Sequence, residues 1–319
     1  MSLVAVLFAL LLEQARPLGR GNVVHALSRA WVRWCARSFD AGDPFHGWLT
    51  WGFAVGLPAL LTLAVYWGLQ WWLGWPFALA WSAAVLYATL GFRQFSFHFT
   101  QIRDALAEGD EDRARELLAQ WQQVDVGTLP PSAMLARVVE QSVLASHRHV
   151  FGVLAWYTVL ASIGLGPAGA VLYRLAEFVA RYWKHGSTRQ MLPASESLQQ
   201  TGIDAWALID WLPVRLTALA FAIVGNFEDA VDAWRNFVPR HAWDNDGLVL
   251  AATVGALNLP WPAGADAPTR VDGSTASSLS ASEPTLQSAH LPLLVGLVWR
   301  SVVMWVLLIT LLTFAHLMG

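Results

Sequence analysis

Two short stretches carry ionisable groups where an apolar chain has little use for them. In "DWLPVRLTALAFAIVG", residues 210–225, an acid, a proline and an arginine fall within six residues and open a run of Leu, Ala, Phe, Ile and Val. Proline lacks an N–H and has a pre-set φ, so it suits a first helical turn and pushes Leu212 before it out of helical geometry. A helix starting at Pro213 has Asp210 just ahead of its positive dipole end, where a carboxylate is favoured. Arg215 then sits in the first turn, where a cation meets the dipole at a cost of about 0.3–1 kcal/mol. The arginine makes sense if an anion is at hand: Asp210 itself as a structural cap, or a phosphate or carboxylate bound at the helix end. The 12 residues from Pro213 to Val224 are too few to cross a bilayer, so this helix is expected to be re-entrant, interfacial or packed against other spans.

The second stretch is Arg174, Glu177 and Arg181, spaced i, i+3 and i+7. On one helix Glu177 can pair with either arginine along a single face. The stripe is either plain salt-bridged surface or, since ionisable groups near a membrane tend to face protein or a water-filled cavity, part of a functional site. Arg137 and Glu140 repeat the i, i+3 spacing and read as structural.

Other motifs weigh less. Gly164, Gly166 and Gly169 spell G-x-G-x-x-G, but a dinucleotide fingerprint needs a strand before it and an acid after it. Here Pro167 stands inside it within an apolar segment, which favours a helix break. His147 and His149 in "SHRHV" point about 200° apart on a helix and would not share a metal; they read, like His98, as a polar interfacial edge, and no metal site is expected. The single Cys35 forms no intramolecular disulfide and reads as a small buried apolar residue.

The elements that must position these residues follow from composition. Of 319 residues, 55% are hydrophobic, 13% are charged and 19 are Trp. A typical soluble domain carries about a quarter charged residues, so a membrane protein is expected. The net charge of −3 gives no sign of a nucleic-acid partner. The expected fold is all-α, a polytopic helical membrane protein with a helical cytoplasmic insert and the lipid bilayer as partner. Residues 1–92 hold a short apolar helix, Leu3 to Leu12, expected to stay on the mature protein, and a transmembrane hairpin whose tip is "QWWLGWP". Residues 93–149 form the insert, where Gly109 stops one helix and Asp110 caps the next. Residues 150–259 hold a second apolar segment, a hairpin or one broken span, then the 201–235 block, where Gly225 and Asn226 repeat that grammar. Residues 260–289, rich in Pro, Gly, Ser and Ala, read as a flexible linker, and 290–319 as the last crossing. Basic residues before and after both hairpins put the insert in the cytoplasm of a multi-pass inner-membrane protein.

The block "TGIDAWALIDWLPVRLTALAFAIVGNFEDAVDAWR", residues 201–235, resembles the signature of the CobD/CbiB–AmpE superfamily of bacterial inner-membrane proteins. The order of parts is similar too: a short apolar start, a hairpin, an insert with "GDEDRAR", then "GLGPAGAVLYR". The resemblance implies one of two functions. The CobD/CbiB branch is taken as adenosylcobinamide-phosphate synthase, which joins an aminopropanol or its phosphate to a corrinoid carboxylate; carboxylate activation there implies ATP and Mg²⁺. The AmpE branch is an accessory membrane protein linked to control of β-lactamase expression. In synthases a polar run follows the residue matching Glu140; here it is "QSVLASHRHVFG". After "LYR" this chain has Glu177 and Ala180 where synthases carry Asn and Asp, and the amino-terminal and post-"AWR" motifs are largely replaced. "GIDAW", with Asp204 where synthases often have Asn, is more AmpE-like.

The expectation is therefore an AmpE-like accessory or regulatory protein, binding an anionic cell-envelope or cofactor-like ligand through Asp210, Arg215, Arg174, Glu177, Asp204 and Glu140, with no cofactor. The alternative is the ATP- and Mg²⁺-dependent synthase.

Overall fold

The computed structural model describes residues 2–15, 23–122, 131–189, 194–239, 241, 243–260 and 286–318. Among them all regular structure is helical. The linker expected at 260–289 lies mostly outside the described residues. Three helical runs are long and apolar enough to cross a membrane: Pro44–Trp72, Glu196–Val224 and Ser288–Ala315. The chain divides into two compact units, residues 1–92, 148–213 and 306–319 in one and 93–147 and 214–305 in the other.

In the first unit, α1 (Ser2–Ala15) packs on α5 (Trp75–Thr89). The amphipathic α2 (Val23–Phe39) leads to α3 (Pro44–Trp51), which Asp43 caps by accepting the Phe45 N–H. A π-helical turn, Gly52–Gly56, joins α3 to α4 (Leu57–Trp72). α4 and α5 form a helical hairpin with its turn at the expected tip. Gly74 breaks it with φ 91°, a region that residues with a Cβ rarely enter, and Trp71 and Trp72 stand exposed at the tip. Its return arm differs from expectation: α5 has 15 residues, about 22 Å of rise, short of a hydrocarbon core of about 30 Å.

The second apolar segment folds as α9 (Gly152–Ser162) and α10 (Ala168–Arg189). Three glycines, two between the helices and one in the first turn of α10, have structural duties. Gly164 and Gly166 adopt φ 82° and 54°, and a Cβ on Gly169 would lie 2.2 Å from the Trp156 carbonyl oxygen, so α9 and α10 approach backbone to backbone there. Buried Val32 and Cys35 of α2, Ala54 and Val55 of the π turn, and Ala176, Val179 and Trp183 of α10 form the core here, with Leu198 of α11 (Glu196–Val224). Burial also pushes the Cys35 thiol up to about 11, the inert behaviour expected of it.

The largest departure from expectation is α11. It does not begin at Pro213; it starts at Glu196 and runs unbroken for 29 residues with Pro213 inside it. Its start is fixed from afar. Ser195 Oγ accepts the Leu198 N–H at 3.1 Å, while the Ser195 N–H and hydroxyl both donate to Asp40, each at 2.7 Å. In place of a 12-residue half-helix there is a 29-residue helix, long and apolar enough to cross a bilayer.

In the second unit, α6 (Phe92–Ala107) ends at Gly109, φ 79°, and α7 (Glu111–Gln122) opens with the Arg113 N–H donating to Asp110, as the spacing implies. Next comes α8 (Pro131–Ser146). Asn226 caps α12 (Phe227–Phe237), which packs closely on α13 (Asn245–Leu257), where a Cβ on Gly255 would lie 2.4 Å from the Asp229 carbonyl oxygen. The last helix, α14, is Leu291–Met318.

Candidate functional site

The residues most suited to chemistry lie along one stretch of α10 and the part of α11 beside it. Tyr173, Glu177 and Arg181 follow one another at i, i+4 and i+8, and Arg174 flanks them. Glu177 is 1% exposed and takes a guanidinium on each oxygen: Arg174 Nη1 lies 2.7 Å from Oε2, and Arg181 Nε pairs with Oε1. Arg174 is 16% exposed and Arg181 50%. Burial alone would raise the Glu177 carboxyl, but Arg181, Arg174 and Arg148 outweigh it and hold the group below its ordinary range. The sequence stripe is thus one buried ion cluster with an arginine reaching outward.

Tyr173 is the functional candidate that sequence reasoning passed over. It is fully buried, and its hydroxyl donates to Asp210 Oδ1 at 2.8 Å. Its ring lies 5.1 Å from that of Trp206, one turn before Asp210 on α11. Gly152 makes room for it: a Cβ there would fall 2.1 Å from the Tyr173 hydroxyl oxygen. The signal available in sequence was chemical, since a buried tyrosine needs a partner for its O–H, but the partner stands 37 residues away.

Asp210 is wholly buried, but not for the reason expected. Within a continuous α11 it does not cap a helix start. Arg215, five residues on, points about 140° around the axis from it, so the two do not share a helix end. What makes the continuous helix possible is Pro213 itself finding compensation. Without an N–H, Pro213 leaves the Ile209 carbonyl four residues back without its helical donor. The Trp156 indole N–H from α9 donates to that oxygen at 2.9 Å. Asp210 therefore follows directly on a carbonyl bonded across to a neighbouring helix.

The other expected site residues fall elsewhere. Asp204 is exposed and accepts a hydrogen bond from Gln200 Nε2 at 2.8 Å, a local i, i+4 contact on the outside of α11. Glu140 lies in the second unit and pairs with Arg137 at 3.6 Å. Arg215 also belongs to that unit and is half-buried. Of the six, Arg174, Glu177 and Asp210 are gathered with Tyr173 in the first unit. His147 Nδ1 meets Thr217 Oγ1 at 2.9 Å, and His98 stacks on Trp121.

A nucleotide-bound magnesium ion would need acids available as ligands. Among the described residues no group of three His, Cys, Asp or Glu is placed to hold a metal ion. Glu177 is engaged by two guanidiniums, and Asp210 by the Tyr173 hydroxyl.

Comparison with known proteins bears on this arrangement. The CobD/Cbib protein family matches residues 3–261. The chain is 31% identical over 188 residues to the cobalamin biosynthesis protein CobD of Chromobacterium violaceum, covering 57% of this chain and 55% of that protein. It is 30% identical over 227 residues to the protein of the same name from Stutzerimonas stutzeri, covering 68% of each. The chain thus spans just over half the length of the first relative. No solved structure matches. Neither relative supports the AmpE-like placement drawn from the replaced polar motifs. The family match and the three apolar helices agree in what they show: this chain is a helical membrane protein and a member of the CobD/CbiB family.

Proposed function

We propose that the chain acts in cobalamin biosynthesis, as a divergent adenosylcobinamide-phosphate synthase that joins an amino alcohol, or its phosphate, to a corrinoid carboxylate. The observation that carries this reading is the ion cluster on α10, because the substrates of such a reaction are anionic. Arg181, half exposed beside the buried Glu177, is a guanidinium suited to orient a carboxylate or phosphate in a bidentate fashion. Arg174, held by the same carboxylate, keeps its geometry pre-set. On this reading the Tyr173–Asp210 pair, a phenol hydrogen-bonded to a carboxylate, is the group that would hold a proton for the reacting amine. Carboxylate activation belongs to a co-substrate such as a nucleoside triphosphate. The same reading puts the insert, residues 93–149, in the cytoplasm of a multi-pass inner-membrane protein, on the side where basic residues gather.

A second reading has its own observation. The run after Glu140, "QSVLASHRHVFG", lacks the polar groups that the synthase branch carries there, and His147 within it is occupied by Thr217. On that reading the protein is an accessory or regulatory member that binds an anionic ligand without chemistry. Expression in a bacterial strain lacking the synthase separates the two. The synthase reading predicts restored amidation of the corrinoid precursor. Membrane-inserted protein with no restoration contradicts it and leaves the accessory role.

A further inference from the structure

α2 buries one face and leaves two others uncovered. Val32 and Cys35 turn into the core formed with α10 and the π turn. Around the helix from them, Val23, Leu27 and Trp34 fall within about 40° of one another and are 72%, 64% and 48% exposed. Beside this apolar stripe, Arg29, Arg33 and Arg37 recur at i, i+4 and i+8, and α2 contains no acidic residue. Arg33 Nε donates to the Tyr182 hydroxyl at 3.2 Å. Arg29 and Arg37 make no ion pair among the described residues and are exposed.

We propose that α2 lies in the membrane interface and binds the headgroups of anionic phospholipids through Arg29 and Arg37, with Val23, Leu27 and Trp34 sunk to the acyl boundary. An exposed apolar stripe flanked by arginines is the pattern of a helix lying in the plane of a bilayer. Its continuity with a candidate membrane span points to lipid as the occupant. Trp34 packs edge-on to Phe39 at 5.7 Å, and Phe39 packs on Phe53 at 5.2 Å. Phe53 belongs to the run Pro44–Trp72, which is long and apolar enough to cross. The α2 stripe therefore continues onto a run long and apolar enough to cross a membrane, and the charge beside it complements anionic headgroups. The arginine stripe reaches α10 as well, since Tyr182 follows directly on Arg181. The inference rests on the reading of this chain as a membrane protein.

The test uses the full chain in lipid nanodiscs, spin-labelled at Leu27→Cys or, as a control on the span, at Leu61→Cys; Cys35 is buried with a raised thiol pKa and stays unlabelled. Depth is read from collisions with oxygen against a water-soluble nickel chelate. In discs of phosphatidylcholine with phosphatidylglycerol, label at 27 should lie at acyl depth, and it should shift toward water in pure phosphatidylcholine or with R29Q/R37Q. Each arginine multiplies affinity for an anionic surface about fivefold, so the double variant should retain roughly 25-fold less phosphatidylglycerol through gentle extraction, as read by mass spectrometry. Label 27 in water while label 61 is in lipid overturns the inference and spares the membrane reading. Both labels in water overturn both. Equal depth with and without phosphatidylglycerol overturns the anionic preference, and dipolar coupling between labels at 27 would make the occupant a second copy of this chain.

Discussion

Two ion pairs in this protein have the same spacing and the same length. Arg115 and Asp112 on α7 pair at i, i+3 and 2.7 Å; Arg174 and Glu177 on α10 do so at i, i+3 and 2.7 Å. Their carboxylates differ in surroundings: Asp112 is 96% exposed and Glu177 1%. In water the attraction is screened and offset by the entropy of holding two long side chains, so the α7 pair contributes little. On α10 the carboxylate has lost its hydration, and only the guanidiniums make its charge tolerable. Helical spacing locates a pair; burial decides whether that pair matters.

The comparison breaks most readily at the carboxylates. Replacing Glu177 by Ala leaves two guanidiniums facing each other and should lower stability by about 3 kcal/mol in detergent, the low end for a buried pair because Arg181 can turn to water. Asp112→Ala should leave thermal unfolding unchanged. If the two variants unfold alike, the contrast is wrong. Gly152→Ala comes next. Its Cβ would collide with the Tyr173 hydroxyl and drive it from Asp210, at about 2 kcal/mol of overpacking, read by the same unfolding assay. Trp156→Phe puts a smaller ring in place of the indole and removes the N–H that satisfies the Ile209 carbonyl, the hydrogen bond alone accounting for a loss of about 1 kcal/mol; that part of the loss should vanish if Pro213 is replaced by Ala, which restores a helical donor. The smallest effect is that of pH. Glu177 has a lowered folded pKa, so its contribution is full above the ordinary value of 4.5 and is lost as pH falls through the lowered value. The wild type should therefore lose more stability on acidification below that point than Glu177→Gln does.

Local grammar was legible. Gly74, Gly109 with Asp110, the Gly164–Pro167 break and Gly225 with Asn226 each end or start helices where their conformational preferences require. The stripe of Arg174, Glu177 and Arg181 was legible too, because i, i+3 and i+7 share a helical face. Pro213 reads as a helix start because a proline's cost is local to its own helix, whereas the compensating donor, Trp156, stands 53 residues from the Ile209 carbonyl that it satisfies. The true start of α11 was missed for a similar reason: Ser195 is steadied by Asp40, 155 residues before it. Once Pro213 became interior, Asp210 changed from a cap to a buried partner of Tyr173, a pair whose members stand on different helices and leave no periodic trace.

The most direct test of the account is the rate at which membranes carrying this protein amidate cobyric acid with an amino alcohol, compared across wild type, Asp112→Ala and Asp210→Asn. The account predicts equal rates for the first two and a loss of at least about tenfold for Asp210→Asn, as for removal of a positioned proton-transfer group. An Asp210→Asn protein that is folded, inserted and as active as the wild type would contradict it.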